Sequence, residues 1–364
     1  MQTKNFRFNL QETAGAIGDY GTILPIVMGV AAVTEVNLSV IFLFFGISYI
    51  CTGFYYQLPI PVEPMKAIGV MAIGGSLTAH EIYGAGIMMG ILLLVISITG
   101  MINKIRGWVP LPIVRGIQLG LALTLLKEAV RFISFDWQVG LLSVVIILIF
   151  TSKYLRDRDI SALLVVIIGL IIGIYRYGSP ELKLFTIPEL IIPSFHALSS
   201  GFINGAIPQL PLTIGNAALA TSLLVHDLFN RRVDEAKLIK SMGVMCLLSS
   251  PLGGFPMCHG AGGLAAQYRF GARTGGSNII SGVILLILAL LFASPELITI
   301  IPFGSLGALL FFSSIELGKN SFKTEGIVIC VLTGIIAFFL NITIAFVVMM
   351  GYYYIDKHYL KLFS

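Results

Sequence analysis

Apolar runs long enough to cross a bilayer as helices recur along the whole chain. They fall at 12–33, 37–56, 60–75, 82–102, 110–132, 137–152 and 160–176, then at 201–226, 236–252, 256–268, 275–294, 301–317, 325–340 and 341–356. A polar, proline-containing stretch, "RYGSPELKLFTIPELIIPSFHALSS", separates the first seven from the second seven. Two of the runs do not read as ordinary helices. "LPIPVEPMKAIG" (58–69) sets three prolines, a glutamate and a lysine between apolar flanks. Proline has no amide donor and clashes with a preceding helical turn, so this piece should run extended to Val62 or Glu63. A short helix should follow, with Pro64 in its first turn. "GFPMCHGAGGLAAQYRFG" should behave in the same way, extended over "GFPM" and helical from about Cys258. Non-helical backbone survives at membrane depth only inside protein or along a cavity. Two half-helices are therefore expected to meet, amino end to amino end, near the bilayer midplane.

The two halves repeat one another. "GAIGDYGTILP" at Gly15 matches "GAIPQLPLTIG" at Gly205, "IPVEPMKAIGV" at Ile60 matches "FPMCHGAGGLA" at Phe255, and "VPLPIVRGIQLG" at Val109 matches "IPFGSLGALLFF" at Ile301, all in the same order. An odd number of spans per repeat inverts the second copy in the membrane. The pattern predicts an all-α polytopic membrane protein of 14 transmembrane segments, arranged as 7+7 inverted repeats. Residues 1–178 form the first repeat, 179–200 a linker and 201–364 the second, and each half-helix is preceded by a short extended strand.

Composition sharpens this picture. The 364 residues are 57% hydrophobic and 11% charged, against about a quarter charged in a soluble domain. Cys51, Cys246, Cys258 and Cys330 sit in apolar surroundings without paired spacing. They support neither a zinc site nor a disulfide framework, and no metal or cofactor is expected. The net charge of +5 comes from basic residues in short loops, a topology signal and not a nucleic-acid surface. With both termini cytoplasmic in the cell membrane, the loops 103–107, 153–159, 227–240 and 269–276 would lie inside and hold most of that charge. The polar opening segment lacks a small-residue cleavage site, so no signal peptide is expected.

The chemistry should gather at the broken segments. A helix amino end carries about half a positive charge and several unpaired N–H groups, so two of them make an anion site. Candidate substrate-binding residues are Glu63, Pro64, Met65 and Lys66 on the first broken segment and Cys258, His259, Gly260 and Ala261 on the second. Asp19, Tyr20 and Thr22 join them from the first span, and Gln209, Thr213 and Asn216 from its counterpart, the eighth. The neutral ones offer donors suited to tetrahedral oxygens. Glu63 and Lys66, three apart, share a helix face. They form either a buried bridge that fixes the segment or an anion partner with its proton carrier. Asp19, Glu63 and His259 are the proton-coupling candidates, since ionisable groups in a span are costly and tend to be functional. Glu12 reads as a charge at the amino end of its own span, Arg115 as a side chain reaching the cytoplasmic interface, and His226-Asp227 as a loop junction. No nucleophile, base and orienting group converge, so an enzyme is not expected.

Five segments, "GAIGDYGTILP", "PVEPMKAI", "PLPIVRGIQLG", "GNAALATSLLVHDLF" and "CHGAGGLAAQYRFGARTGG", resemble signature stretches of the prokaryotic and plant molybdate transporter family, within the sulfate permease (SulP) superfamily. The resemblance implies the fold shared with uracil permeases and bicarbonate exchangers. It implies a core domain of spans one to four and eight to eleven, and a gate domain of spans five to seven and twelve to fourteen. It also implies secondary transport of molybdate or a related oxyanion such as sulfate or tungstate, for which proton coupling is the expected drive. A nucleobase permease of the same fold and a passive anion channel are the alternatives. Nucleobase permeases resemble one another in having glutamates on the eighth and tenth spans, where this chain has Gln209 and Asn216, then Cys258 and His259. The partners expected are the oxyanion, the lipid bilayer and, as an open option, a second copy in a homodimer. The sequence ends at Ser364, and no regulatory domain is expected after the last span.

Overall fold

A computed structural model describes residues 6–151, 160–179, 185, 187–291, 300–340 and 342–355. The expected cytoplasmic loop 153–159, linker residues 180–184 and 186, the last residues of the spans ending at 152, 294 and 356, the first residue of the span at 341, and both chain ends lie outside the described residues.

The span expected at 12–33 is two helices, α1 (Leu10–Ile17) and α2 (Tyr20–Val33), broken at Gly18 and Asp19. The break follows from packing: Gly15 and Gly18 lie against Ala272 and Phe270, with no room for a side chain at either position. α3 (Leu38–Tyr56) opens at Asn37, whose side-chain oxygen accepts the Ser39 and Val40 N–H groups, and stops at Gln57 in the left-handed conformation, φ 55°. Next come strand β1 (Glu63–Pro64), half-helix α4 (Lys66–Ile73) and α5 (Ala79–Ile98), the last started by a Thr78–Glu81 capping box. A short helix α6 (Met101–Trp108) precedes α7 (Leu111–Phe135), α8 (Trp137–Thr151) and α9 (Ser161–Tyr177).

The second half begins at Phe195, six residues before the expected span, because Ser194 caps the helix by accepting the Ala197 N–H. This helical stretch runs as α10 (Phe195–Gly201), a π-helical stretch Phe202–Ala206, α11 (Ile207–Leu212), a second π-helical stretch Thr213–Ala220, and α12 (Thr221–Phe229). There follow α13 (Glu235–Ser249), strand β2 (Met257–Cys258), half-helix α14 (Ala261–Arg269), α15 (Gly275–Leu291), α16 (Phe303–Ser321), α17 (Ile327–Phe339) and α18 (Ile342–Ile355).

Among the described residues, four helical stretches are long and apolar enough to cross a bilayer outright: Leu10–Val33, Leu38–Tyr56, Ala79–Ile98 and Phe195–Phe229. Further apolar helices have 10–17 residues. α3 packs on α15, α5 on α13 and α10, and α7 on α16 and α17. Small residues set these crossings. Gly46 and Gly53 of α3 meet Gly282 and Gly275 of α15, backbone to backbone, as expected where lipid supplies no hydrophobic drive between helices. Large apolar side chains are exposed instead of buried: on α5, Ile91, Val95 and Ile98 line one outer face. Such a belt would be a liability in water and suits hydrocarbon. The protein is an integral membrane protein.

Two charged residues have unexpected partners. Arg115 does not reach an interface: it is buried on α7 and pairs with Asp227 of α12 at 2.6 Å, with Gln118 Oε1 accepting a second bond at 3.1 Å. His226-Asp227 is thus one half of a buried bridge as well as a junction. Glu12 lies in the first turn of its own helix α1, as expected, and serves a second amino end as well. Its buried carboxylate accepts the Arg273 and Thr274 N–H groups and the Thr274 hydroxyl, at 3.0–3.3 Å, just before α15.

Candidate functional site

β1 and β2 pair antiparallel, Glu63 opposite Cys258 and Pro64 opposite Met257, and the Met65 N–H donates to Pro256 O at 3.0 Å. Because the strands run in opposite directions, α4 and α14 leave them in opposite directions. Their amino ends therefore lie on either side of the pair. The extended backbone leading into β1 is held by side chains from the other half. Asn278 Nδ2 donates to Ile60 O at 2.6 Å, and His259 Nδ1 donates to Pro61 O at 2.7 Å. Irregular backbone at membrane depth needs such partners.

Three charged side chains gather here. Glu63 Oε2 accepts from Lys66 Nζ at 2.6 Å; Glu63 is fully buried and the Lys66 side chain is 14% exposed. Asp19 is fully buried in the α1–α2 break. Glu63 Oε1 has no hydrogen-bond donor among the described residues, and the Asp19 carboxyl has the Thr22 hydroxyl beside it. The two carboxyls converge on the first turn of α14. A methyl group on Gly263 would run into Asp19 Oδ2 and come within 2.6 Å of Glu63 Oε1, and one on Gly260 would overlap the Glu63 carboxylate. Glycine is required at both positions by this approach alone. The cluster holds two acids and one base, formally −1, between two helix ends worth about half a positive charge each. Buried carboxyl oxygens without donors are expensive.

The amino end of α4 has a different partner. The Ala67 N–H donates to Gln209 Oε1 at 2.8 Å, and Gln209 Nε2 donates to Thr213 Oγ1 at 3.0 Å. Gln209 and Thr213 flank the start of the second π-helical stretch, which also holds Asn216, buried with its Oδ1 unpartnered. Stretches of π-helix are rare and concentrate at functional sites. The prolines 208 and 211 were the local signal for an irregular helix here.

Of the expected residues, Asp19, Glu63, Lys66, Gly260 and Ala261 come together. Pro64 and Met65 contribute backbone beside them, and Gln209 and Thr213 reach them through α4. Thr22 is buried one turn after Asp19. Others are engaged elsewhere. The Tyr20 hydroxyl lies 3.4 Å from both the carbonyl and the Oγ of Ser281 on α15. Cys258, opposite Glu63 in the ladder, is a packed thiol 3.9 Å from Pro64 O. His259 has both ring nitrogens hydrogen-bonded, Nδ1 to Pro61 O and Nε2 to Ser241 Oγ at 2.8 Å, and so helps hold the extended segment. The sequence reading missed Gln267, fully buried one turn beyond Gly263 with neither amide atom partnered. Its place inside the "HGAGGLAAQ" repeat of small residues was the signal.

Comparisons with known proteins bear on the family and the fold. A family profile described as "Molybdate transporter of MFS superfamily" matches residues 11–125 and 201–317, one block in each half. Molybdate transporter 2 of Arabidopsis thaliana is 33% identical, covering 85% of this chain and 78% of its own length. Molybdate transporter 1 of the same plant is 31% identical over 88% and 82%, and Molybdate transporter 1 of Chlamydomonas reinhardtii is 26% identical over 85% and 83%. Among solved structures, the transmembrane domain of the cyanobacterium bicarbonate transporter BicA superposes with a TM-score of 0.62 at 17% identity, over 95% of this chain and 98% of that one. SLC26A9 superposes at 0.65 with 13% identity, over 97% and 66%. The fold is that of these anion-transporter structures. The chain belongs to the molybdate transporter family.

Proposed function

We propose that this protein is a secondary active transporter importing molybdate or a related tetrahedral oxyanion, sulfate or tungstate, with two protons per dianion. The observation that carries the reading is the convergence of Asp19, Glu63 and Lys66 on the amino end of α14, with Glu63 Oε1 unpartnered. Family membership supports molybdate as the substrate. In the proposed cycle the arriving dianion draws Lys66 away from Glu63 and takes the helix N–H groups, while Glu63 and Asp19 each bind a proton. Moving two negative charges into a cell at −100 mV inside costs about 4.6 kcal/mol, and each proton entering returns about 2.3 kcal/mol. Two protons cancel the electrical work, and two acids are present to carry them.

The protein is read as fourteen spans in two inverted repeats, in the cell membrane with both termini cytoplasmic. Its core (spans one to four and eight to eleven) moves against a gate (spans five to seven and twelve to fourteen). The packing of α3, α5, α13 and α15 among themselves, and of α7 with α16 and α17, supports that division. A cysteine introduced at Arg232 should react with an impermeant maleimide only after the membrane is opened; labelling in intact cells would overturn the orientation.

Binding competition tests the substrate. Purified protein loaded with labelled molybdate should release it to excess tungstate or sulfate and retain it against excess uracil. Displacement by uracil alone would point to a nucleobase permease.

A further inference from the structure

A composite cavity opens where the carboxyl end of α3 meets the amino end of α13. An apolar slot of about 450 Å³ runs between the two helices, lined by Phe44, Ile47, Cys51, Val244 and Leu248 among others, with Lys240 at one end. Tyr55 closes that end and also lines an adjoining polar cavity of about 290 Å³ with Arg231, Arg232 and Lys237. This cavity continues around the amino end of α13 into a third, of about 560 Å³, which shares Arg232 and Lys237 and adds His226. Among the described residues, Arg231, Arg232, Lys237 and Lys240 make no ion pair. Both acids on the rim, Asp234 and Glu235, are engaged: Asp234 accepts the Ala236 N–H at 2.8 Å to cap α13, and Glu235 has its own contacts. Tyr56 fixes the joint, its hydroxyl lying 3.0 Å from Lys237 O and 2.7 Å from Ser241 Oγ.

We propose that this composite cavity binds one anionic phospholipid, its phosphate among Arg231, Arg232, Lys237 and Lys240 and one acyl chain in the slot between α3 and α13. Three features fit that occupant together. From Phe44 to Tyr55 the slot follows eleven residues of helix, about 16 Å at 1.5 Å per residue, close to half of the roughly 30 Å hydrocarbon thickness. Its volume lies within the usual range of ligand cavities, about 300–1,000 Å³. Unpaired basic groups sit only at its polar end, where a headgroup would lie, and basic pockets between membrane helices on the cytoplasmic side are suited to anionic headgroups. A soluble anion would explain the basic cavity but not the slot; a neutral lipid would explain the slot but not four unpaired cations. Placing the site in the inner leaflet rests on the orientation proposed above. Because α3 and α13 belong to the proposed moving core, the lipid would travel with it.

Native mass spectrometry of the purified full chain, exchanged into micelles with equal phosphatidylglycerol and phosphatidylcholine, tests this without reference to transport. The wild type should retain one phosphatidylglycerol in preference to phosphatidylcholine. R231Q/R232Q/K240Q should retain it about a hundredfold less, three basic residues at about 1 kcal/mol each near an anionic surface and about 1.4 kcal/mol per decade. K319Q, a basic change elsewhere, should leave retention unchanged. Val244→Phe should also lower retention, with every charge intact. Equal retention of the two lipids, or unchanged retention by the triple variant, would overturn the proposal. Displacement by millimolar inorganic phosphate, with Val244→Phe behaving as wild type, would make the cavity a free-anion site and overturn the lipid assignment. Failure here would leave the oxyanion reading untouched, since lipid retention and molybdate binding are separate readouts.

Discussion

Replacing Lys66 by methionine is expected to weaken molybdate binding by two orders of magnitude or more, about 3 kcal/mol at about 1.4 kcal/mol per decade. Lys66 is the one cation at the junction of β1 and α4, and its ammonium already sits 2.6 Å from a fully buried carboxylate. Its loss removes the positive neighbour of the substrate and also strands Glu63. Breaking a buried pair from one side typically costs about 3–5 kcal/mol, so Lys66→Met should also lower the melting temperature. The double change Glu63→Gln with Lys66→Met separates the two effects. It should recover stability, because no unpaired charge remains, while leaving molybdate affinity low. Recovery of affinity as well would reduce Lys66 to a counter-ion for Glu63. Isothermal titration and thermal melts on the same samples decide between them.

Asp19→Asn should have the second largest effect, and of a different kind. The amide keeps the shape at the α1–α2 break, where Asp19 Oδ2 presses on the glycine face of α14, but it cannot carry a proton. Molybdate binding should change little, whereas the acceleration of uptake on acidifying the outside should be blunted. With Glu63 alone, one proton would accompany each dianion, and transport should become sensitive to membrane potential. Uptake by Asp19→Asn that still responds to external acid as the wild type does would remove Asp19 from the coupling.

The sequence announced its own irregularities well. "LPIPVEPMK" could not be a plain helix, because its prolines and charges forbid one, but strand pairing carries the extended backbone further than expected: Pro64 lies in β1 and α4 starts at Lys66, and Cys258 lies in β2 with α14 starting at Ala261. Asp19 and Glu63 stood out because carboxylates inside apolar runs are expensive. Partnerships across the chain were not legible. Glu12 sits at the amino end of its own helix as read, but its second role, at the start of α15 some 260 residues away, was not visible. Arg115 looked free to reach an interface because nothing local marks Asp227 as its partner. His259 looked like a titrating group, and only the fold reveals Pro61 and Ser241 on its two nitrogens. Of the π-helical stretches around Gln209, the first packs on α5 and α4 and the second on α7 and α13, contacts that periodicity cannot supply. Local breaks are written in local residues, and burial partners are set by topology.

Molybdate accumulation in proteoliposomes holding an inward proton gradient of one pH unit, with membrane potential clamped at zero, addresses coupling directly. Each proton moving down one pH unit releases about 1.4 kcal/mol, so two per dianion should drive accumulation toward about 100-fold at equilibrium. Collapsing the gradient with a protonophore should return the ratio to unity. A ratio near unity with the gradient intact would contradict proton-coupled uptake through Asp19 and Glu63.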